Sequence, residues 1–362
     1  MSSTMQIREM RPEEAKAVGA ISRRAFGPIQ SLFFSLKGHV LVAERDGDLL
    51  GGTVLTMFKL SRGRKGGLVD WIFTDPKVHG QGAGQALTEA AIAYFEDEGC
   101  TDMFASVEGY NPSSGKLFAT RGFGILSPGA QFRRFGMGIF AMWYHTFHFM
   151  DLGHFLWARP PAEKSDSPAA QWWGGLLLNA AIFCLALWRM QGFRTFDPLF
   201  LLFAPLSLLL FLGARSLAML AAARAQGICL RYRAWESGFP ISLLIALASG
   251  DMFSVPGSYY PCTDHWRYRE WVPKLGPVAL AGILPTLLIN WGLWAIGRFG
   301  TLSPQLALGR SIAVMAGMVL GLLDTVIIVF PAVSFNGRRV WDWKPWVWAL
   351  VAAATVGLFV IA

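Results

Sequence analysis

Apolar and polar positions along the chain change their pattern near residue 170. Before it, apolar residues come in short runs bounded by turn residues. After it, long apolar stretches are separated by short basic loops. In the first part, residues 7–10 read as a strand. Residues 12–26 read as a helix, with Pro12 in its first turn and Ala15, Val18, Ile21 and Ala25 along one face. Residues 40–45 and 49–58 flank Asp46-Gly47-Asp48, a hairpin signal because Gly accepts the positive φ of a tight turn. Residues 67–74 read as a central strand ending at Asp75-Pro76. A helix follows, with Leu87, Ala90, Ala91, Tyr94 and Phe95 in one predicted stripe. Residues 103–108 read as another strand. Next comes a helix that Asn111 can cap, Pro112 can open and Gly122 can end.

Between the central strand and its helix lie His79, Gly80, Gln81, Gly82, Ala83, Gly84 and Gln85. A glycine loop that opens a helix leaves backbone N–H groups unpaired and aimed at one point. The helix dipole adds partial positive charge there, which suits a pyrophosphate. No Gly-Lys-Ser/Thr follows, so the loop is not a P-loop. The glycine spacing and the lack of an early βαβ unit also depart from a dinucleotide-binding fingerprint.

The order strand, glycine loop, helix, strand, Asn-led helix, Gly-Phe resembles the GNAT acetyltransferase superfamily. His79 to Gly84 matches its Gln/Arg-x-x-Gly-x-Gly/Ala signature with His in first place. Asn111 to Phe123 resembles its Asn-x-x-Ser/Ala-x-x-Leu-Tyr-x-x-x-Gly-Phe. The resemblance covers about residues 5–135. It implies an α/β acyltransferase fold: a mixed, mostly antiparallel sheet with flanking helices, splayed at its middle strands, with acyl-CoA in the cleft. It further implies that the backbone of Ile72, Phe73 and Thr74 pairs with the pantetheine arm. The loop Gly80 to Gln85 would hold the pyrophosphate, and Asn111 would contact pantetheine or the active-site network.

Two departures from the family pattern change the expected chemistry. His79 is less reliably charged at pH 7 than the usual Arg. Phe118 stands on the cofactor side where many members place a Tyr that protonates the leaving thiolate, and Phe cannot donate a proton. Acyl transfer to an amine needs a base. Asp70, at the expected splay, is the first candidate and Glu108, at the neighbouring strand end, the second. Tyr110 is a substitute acid. For each, a solvated or structural role is the plainer alternative.

Residues 140–157 are aromatic almost all round, which predicts a helix lying among lipid headgroups. His145, His148, Asp151 and His154 recur every third residue, but such steps drift by about 60° each on an α-helix. The outer two would face apart, so no metal is expected. Residues 160–168 form a polar linker.

Beyond the linker, apolar spans cover about residues 172–188, 198–222, 277–296, 312–330 and 346–361. Most approach the roughly 20 residues that a crossing helix needs. Residues 238–261 are apolar too, but Pro240, Gly250, Asp251, Pro256 and Gly257 interrupt them. Reading them as re-entrant keeps Arg224/Arg231/Arg233, Arg267/Arg269/Lys274 and Arg338/Arg339/Lys344 on the inner side. Reading them as a crossing would move two of these clusters outward, against the positive-inside bias.

The order transmembrane helix, Gly-Ile-x-x-x-x-Arg-x-Trp-Glu-Ser-Gly, re-entrant loop, and later Phe-Pro-x-x-x-Phe-Asn-Gly resembles the site-2 protease group of metalloproteases over about residues 198–345. That group carries His-Glu-x-x-His and Asp-Gly. Here the matching places are Arg215, Ser216 and Met219, with Asn336 before Gly337. These side chains cannot hold zinc or work its water. The resemblance therefore implies a scaffold without protease chemistry. Arg215 inside a span is costly and should face a cavity or a partner such as Asp324.

Three regions follow: an acetyltransferase domain over 1–138, an interfacial helix and linker over 139–170, and an all-α polytopic membrane domain over 171–362. The chain has 53% hydrophobic and 15% charged residues and a net charge of +8. With the basic residues between apolar spans, the charge reads as membrane topology rather than nucleic-acid binding. Cys100, Cys184, Cys229 and Cys262 are scattered and suggest no disulfide framework. The N-terminus lacks the apolar core of a signal peptide, so the first domain is expected in the cytoplasm of a prokaryotic-type cell. The leading expectation is a membrane-anchored enzyme moving acetyl from acetyl-CoA to an unidentified amine. The rivals are an acyl-CoA-sensing regulator with a pseudoprotease half, and a transporter carrying an acyl-CoA sensor.

Overall fold

The computed structural model describes residues 5–78, 80–263, 266–329 and 333–361. It divides into two units. The first comprises Met1–Val107, Ser113–His148 and Phe155–Ser165; the second comprises Glu108–Pro112, Phe149–His154 and Asp166–Ala362.

The first unit is built on strands β1 (Gln6–Glu9), β2 (His39–Arg45), β3 (Asp48–Lys59), β4 (Lys65–Thr74), β5 (Asp102–Glu108), β6 (Gly124–Ile125) and β7 (His154–Arg159). They form one sheet in the order β1-β2-β3-β4-β5-β7-β6. The β4–β5 pair is parallel, and β1–β2, β2–β3, β3–β4 and β6–β7 are antiparallel. This is the mixed, mostly antiparallel sheet expected from the sequence. Asp46 (φ 54°) and Gly47 (φ 85°) make the two-residue turn between β2 and β3, whose doubly positive φ matches strand twist.

Helices α1 (Ala15–Gln30), α2 (Ala83–Asp97), α3 (Pro112–Ala119), α4 (Pro128–Phe135) and α5 (Ile139–His145) accompany the sheet. α2 buries Ala83, Leu87, Thr88, Ala91, Ile92 and Phe95. The face is rotated from the predicted stripe: Thr88 and Ile92 replace Ala90 and Tyr94. Thr88 tolerates burial because its hydroxyl donates to the Gly84 carbonyl at 2.7 Å. Gly67 lets α2 lie close, since a Cβ there would stand 2.5 Å from the Phe95 ring.

The aromatic stretch departs from expectation. Helix covers only Ile139–His145, and His154–Arg159 is a strand of the sheet rather than part of a headgroup helix. Hydrophobic contacts explain the difference. Leu156 and Ala158 join Phe58, Leu68, Phe104, Phe135, Ile139 and Met142 in one buried cluster. Alternation along β7 was hidden by aromatics on its other positions. His145 stacks on Phe58 at 4.6 Å, and buried His148 meets Trp143 edge-on at 6.1 Å.

The second unit contains α6 (Pro168–Met190), α7 (Phe200–Ala225), β8 (Leu230–Arg233), α8 (Phe239–Ser249), β9 (Ser258–Pro261), α9 (Tyr268–Phe299), α10 (Pro304–Gly321), α11 (Asn336–Trp343) and α12 (Pro345–Ile361). A π turn, Leu322–Val326, prolongs α10. Ser167 caps α6, accepting from the Ala170 amide at 3.1 Å. Among the described residues, four helical stretches are long and apolar enough to cross a membrane: Pro168–Met190, Phe200–Ala225, Tyr268–Phe299 and Pro304–Val326. The fifth expected span is the 17-residue α12, about 25 Å long at 1.5 Å per residue.

The segment between β8 and β9 starts and finishes at one place. The two strands pair antiparallel, Leu230 opposite Pro261 and Arg233 opposite Ser258. Cys229 and Cys262 are joined by a disulfide, contrary to the sequence expectation. Strand pairing brings their Cα atoms to 5.6 Å, inside disulfide range, across a sequence separation that carries no signal. The 11-residue α8 between them is about 16 Å long, half a bilayer core. Its irregular continuation finds side-chain partners. Asn179 accepts from the Val255 amide at 3.0 Å and donates to the Val255 carbonyl at 2.9 Å. Ser242 donates to the Phe253 carbonyl, and Tyr232 to that of Pro256. Irregular backbone is tolerated in an apolar setting only when so satisfied.

Candidate functional site

In the first unit, β4 keeps β3 as a partner along its whole length but pairs with β5 over only part of it. Its parallel register with β5 runs from Gly66–Asp102 to Val69–Ala105. Against β3, Val69 faces Leu55 and Trp71 faces Val54, so Asp70 is the extra residue of a β-bulge. Bulges bend a strand and re-aim side chains. Past this one, Ile72, Phe73 and Thr74 keep their register with Thr53, Gly52 and Gly51 of β3. The Phe73 ring is buried beside Phe26 and Phe34, at 5.8 and 5.4 Å. The Asp70 side chain is exposed.

The strand delivers the chain into the glycine turn. Asp75 holds the corner: its amide donates to the Leu50 carbonyl, its carboxylate accepts from the Lys77 amide at 3.0 Å, and Arg24 pairs with it at 2.5 Å. Arg24 and then the Lys77 amide draw its pKa below the usual carboxylate value. Gly80 and Gly82 have φ of 83° and 84°, a region that residues with a Cβ avoid. Gly82 caps α2 without a side chain, so the first amides of a 15-residue helix face outward with the positive end of its dipole. A Cβ on Gly84 would lie 3.9 Å from Thr74 Cγ2. The open end of β4 and the start of α2 are therefore neighbours. Arg45 donates to Gln81 Oε1 at 2.7 Å, placing at this turn a cation that the linear sequence does not flag. His79 lies outside the described residues. Gln85 is exposed. Phe118 is buried against Phe123, ring centroids 5.2 Å apart.

The segment after β5 packs in the second unit. Tyr110 is buried there, and its hydroxyl donates to the Tyr259 carbonyl at 2.7 Å. The Arg339 guanidinium lies 3.5 Å from the Tyr110 ring centroid and 3.8 Å from Glu108 Oε1. Asn111, directly before α3, is exposed and its amide donates to the Glu108 carbonyl at 2.9 Å.

Deeper in the second unit, the residues matched to the protease motifs meet. Buried Arg215 donates to both oxygens of buried Asp324, at 2.9 and 3.1 Å. Asn336 donates to Asp324 through its side chain at 2.8 Å and through its amide at 3.2 Å. Ser216 accepts from Trp172 Nε1 at 2.9 Å, and Met219 Sδ stands 3.8 Å from Asn336 Nδ2. A bidentate Arg–carboxylate pair with extra donors is the arrangement that lets two charges share an apolar interior. Among the described residues, no three His, Cys, Asp or Glu side chains gather as a metal would require.

Comparison with known proteins finds likeness to two kinds of protein. Residues 6–123 match the family described as the acetyltransferase (GNAT) family. A Methanocaldococcus jannaschii protein described as a candidate zinc metalloprotease is 27% identical over 138 residues, covering 37% of this chain and 66% of the relative. The chain thus spans just under two thirds of that relative's length. Among solved structures, a Streptococcus pneumoniae acetyltransferase of the GNAT family is 20% identical over 34% of this chain and 86% of its own, with a TM-score of 0.29. A Salmonella typhimurium protein described as a candidate acetyltransferase, solved with acetyl-CoA, is 21% identical over 34% and 81%, with a TM-score of 0.28.

Proposed function

Residues 6–123 belong to the GNAT acetyltransferase family, and from that we propose that the protein is a membrane-anchored N-acyltransferase carrying acetyl from acetyl-CoA to an amine. The observation that carries the reading is the juxtaposition of the bulged β4 with the glycine turn that starts α2. Amides and the helix dipole at Gly82–Gln85 suit the pyrophosphate, with Gly80 and Gln81 completing the turn. The backbone of Ile72, Phe73 and Thr74 suits the amide-bearing pantetheine arm. The amine attacks the thioester carbonyl, a C–N bond forms and the C–S bond breaks. The proton shed by the amine passes to a base, and the thiolate takes one up. Asp70 is the first choice of base, Glu108 the second. Tyr110 could serve as acid only by giving up its bond to Tyr259. The four apolar helices suit a lipid bilayer as the second partner, with the acetyltransferase domain on the cytoplasmic side.

Calorimetry of the full chain in detergent tests the reading. Acetyl-CoA should bind in the micromolar range. Gly82→Ala should weaken binding about tenfold, because a Cβ disfavours φ 84° by about 1–2 kcal/mol and shifts the free turn away from the conformation that binds. Absence of heat from the wild type with acetyl-CoA and with CoA would overturn it. Thiol release on adding amines then separates catalysis from binding alone.

Phe118 favours a second reading, an acyl-CoA-sensing regulator whose pseudoprotease half binds a membrane partner. A phenyl ring buried against Phe123 has no proton for a thiolate. On that reading acetyl-CoA binds and no amine releases CoA.

A further inference from the structure

Residues 108–112 run from the last residue of β5 to the first of α3, yet they are packed as part of the second unit. Their neighbours on the next strand behave alike: 149–154, the lead-in to β7, are also in the second unit, and the Gly109 amide donates to the Gly153 carbonyl at 2.9 Å. Two adjoining strand ends are therefore anchored together. A Cβ on Gly153 would collide with Ser334. The Asp151 carbonyl accepts from Ser237 at 2.8 Å.

At the centre of this packing is Arg339, from α11, with 2% of its surface exposed. Its sequence neighbourhood reads as an inner-side charge cluster, but the side chain is turned inward. It donates to the carbonyls of Val333 and Phe335, both at 2.6 Å. Its plane covers the Tyr110 ring, and Glu108 is its nearest carboxylate. Tyr110 is held from its other sides by Tyr260 at 4.5 Å, Trp266 at 6.2 Å and Tyr268 at 6.3 Å. A desolvated guanidinium over an aromatic face is a strong, directional contact.

We propose that Arg339 is the positioning residue for the Glu108–Asn111 loop, so that the membrane half sets the readiness of the acetyltransferase to use its thioester. The proposal rests on the acyltransferase reading, which gives Asn111 to the pantetheine arm. It makes α11 the element through which a change in the membrane half reaches the chemistry. Arg339 acts through Tyr110 and Glu108 and touches no reacting atom.

The test uses the full chain in nanodiscs, with amide hydrogen exchange read by mass spectrometry and acetyl-CoA titrated by calorimetry. Arg339→Gln should speed exchange at 108–112 at least tenfold while α2 and β3 stay as in the wild type. Acetyl-CoA affinity should fall about fivefold. Arg339→Lys should recover part of both effects, because it keeps the charge. Tyr110→Leu should repeat the Gln phenotype from the loop side, and it decides the matter if Arg339→Gln does not fold. If wild-type protein binds acetyl-CoA while Arg339→Gln leaves exchange and affinity unchanged, or loosens all strands equally, the positioning role is wrong. If the wild type binds no acetyl-CoA, the acyltransferase reading itself falls, whatever the loop does.

Discussion

Single side chains decide how the corner beside the glycine turn is held. Asp75 fixes the corner between β4 and the glycine turn, and its folded pKa is held low by Arg24 and the Lys77 amide. A depressed carboxylate contributes stability above its unfolded value, near 4. That contribution is lost as pH falls through the lower folded value. Asp75→Asn should therefore lower the melting temperature at pH 6–7, and the effect should shrink as pH falls below the unfolded value and through the lowered folded one. The size should be on the order of 1 kcal/mol, since the half-exposed Arg24 is screened by solvent. A melting difference independent of pH would contradict this. At this scale the sequence was a good guide to backbone requirements. Gly80, Gly82 and Gly122 all have positive φ where turns and a helix end were expected. It was a poor guide to partners. Nothing in the linear order ties Arg45 to Gln81, or turns Arg339 from a surface charge into a buried cation.

At the scale of elements, helix–sheet contact is set by Gly67. Gly67→Ala should cost about 2–4 kcal/mol by pushing Phe95 off β4. A denaturant series should find part of that cost relieved by adding Phe95→Leu. Equal costs in both backgrounds would place the strain elsewhere. The strands and α2 were legible because their periods are short and their boundaries carry Gly, Pro and Asn. β7 was not, because Phe155 and Trp157 lie among so many other aromatics that alternation disappears, although both are buried. The bulge at Asp70 was also invisible, since it depends on how two strands register. Within the second unit, the prolines of α9 did not shorten it: Pro273, Pro277 and Pro285 all lie inside a 32-residue helix.

For the whole molecule, the Arg215–Asp324 pair occupies the place where the protease resemblance expects zinc chemistry. Breaking one partner of such a pair strands the other charge, at a cost of about 3–5 kcal/mol. Arg215→Met should therefore lose folded protein in detergent, as judged by a shift from monodisperse to aggregated elution. Combining it with Asp324→Leu should restore much of the yield. If the single and double variants behave alike, the pair is not holding α7 to the end of α10. Pairing of Arg215 with Asp324 could be foreseen, because an isolated charge in a span has few options. The four-way arrangement with Asn336 could not.

The bridge between Cys229 and Cys262 also acts as a compass. Two long helices, Pro168–Met190 and Phe200–Ala225, separate it from everything before the linker. If both cross, the sulfur atoms come back to the face of the bilayer from which the chain set out. A cytosolic face is chemically reducing and keeps most such pairs as thiols. With the first domain on the cytoplasmic side, as proposed, the bridge should be reduced in intact cells: a maleimide that cannot pass the membrane should leave Cys229 and Cys262 untouched, while a permeant one labels both. Resistance to the permeant reagent, relieved only by a reductant, would turn the whole protein upside down.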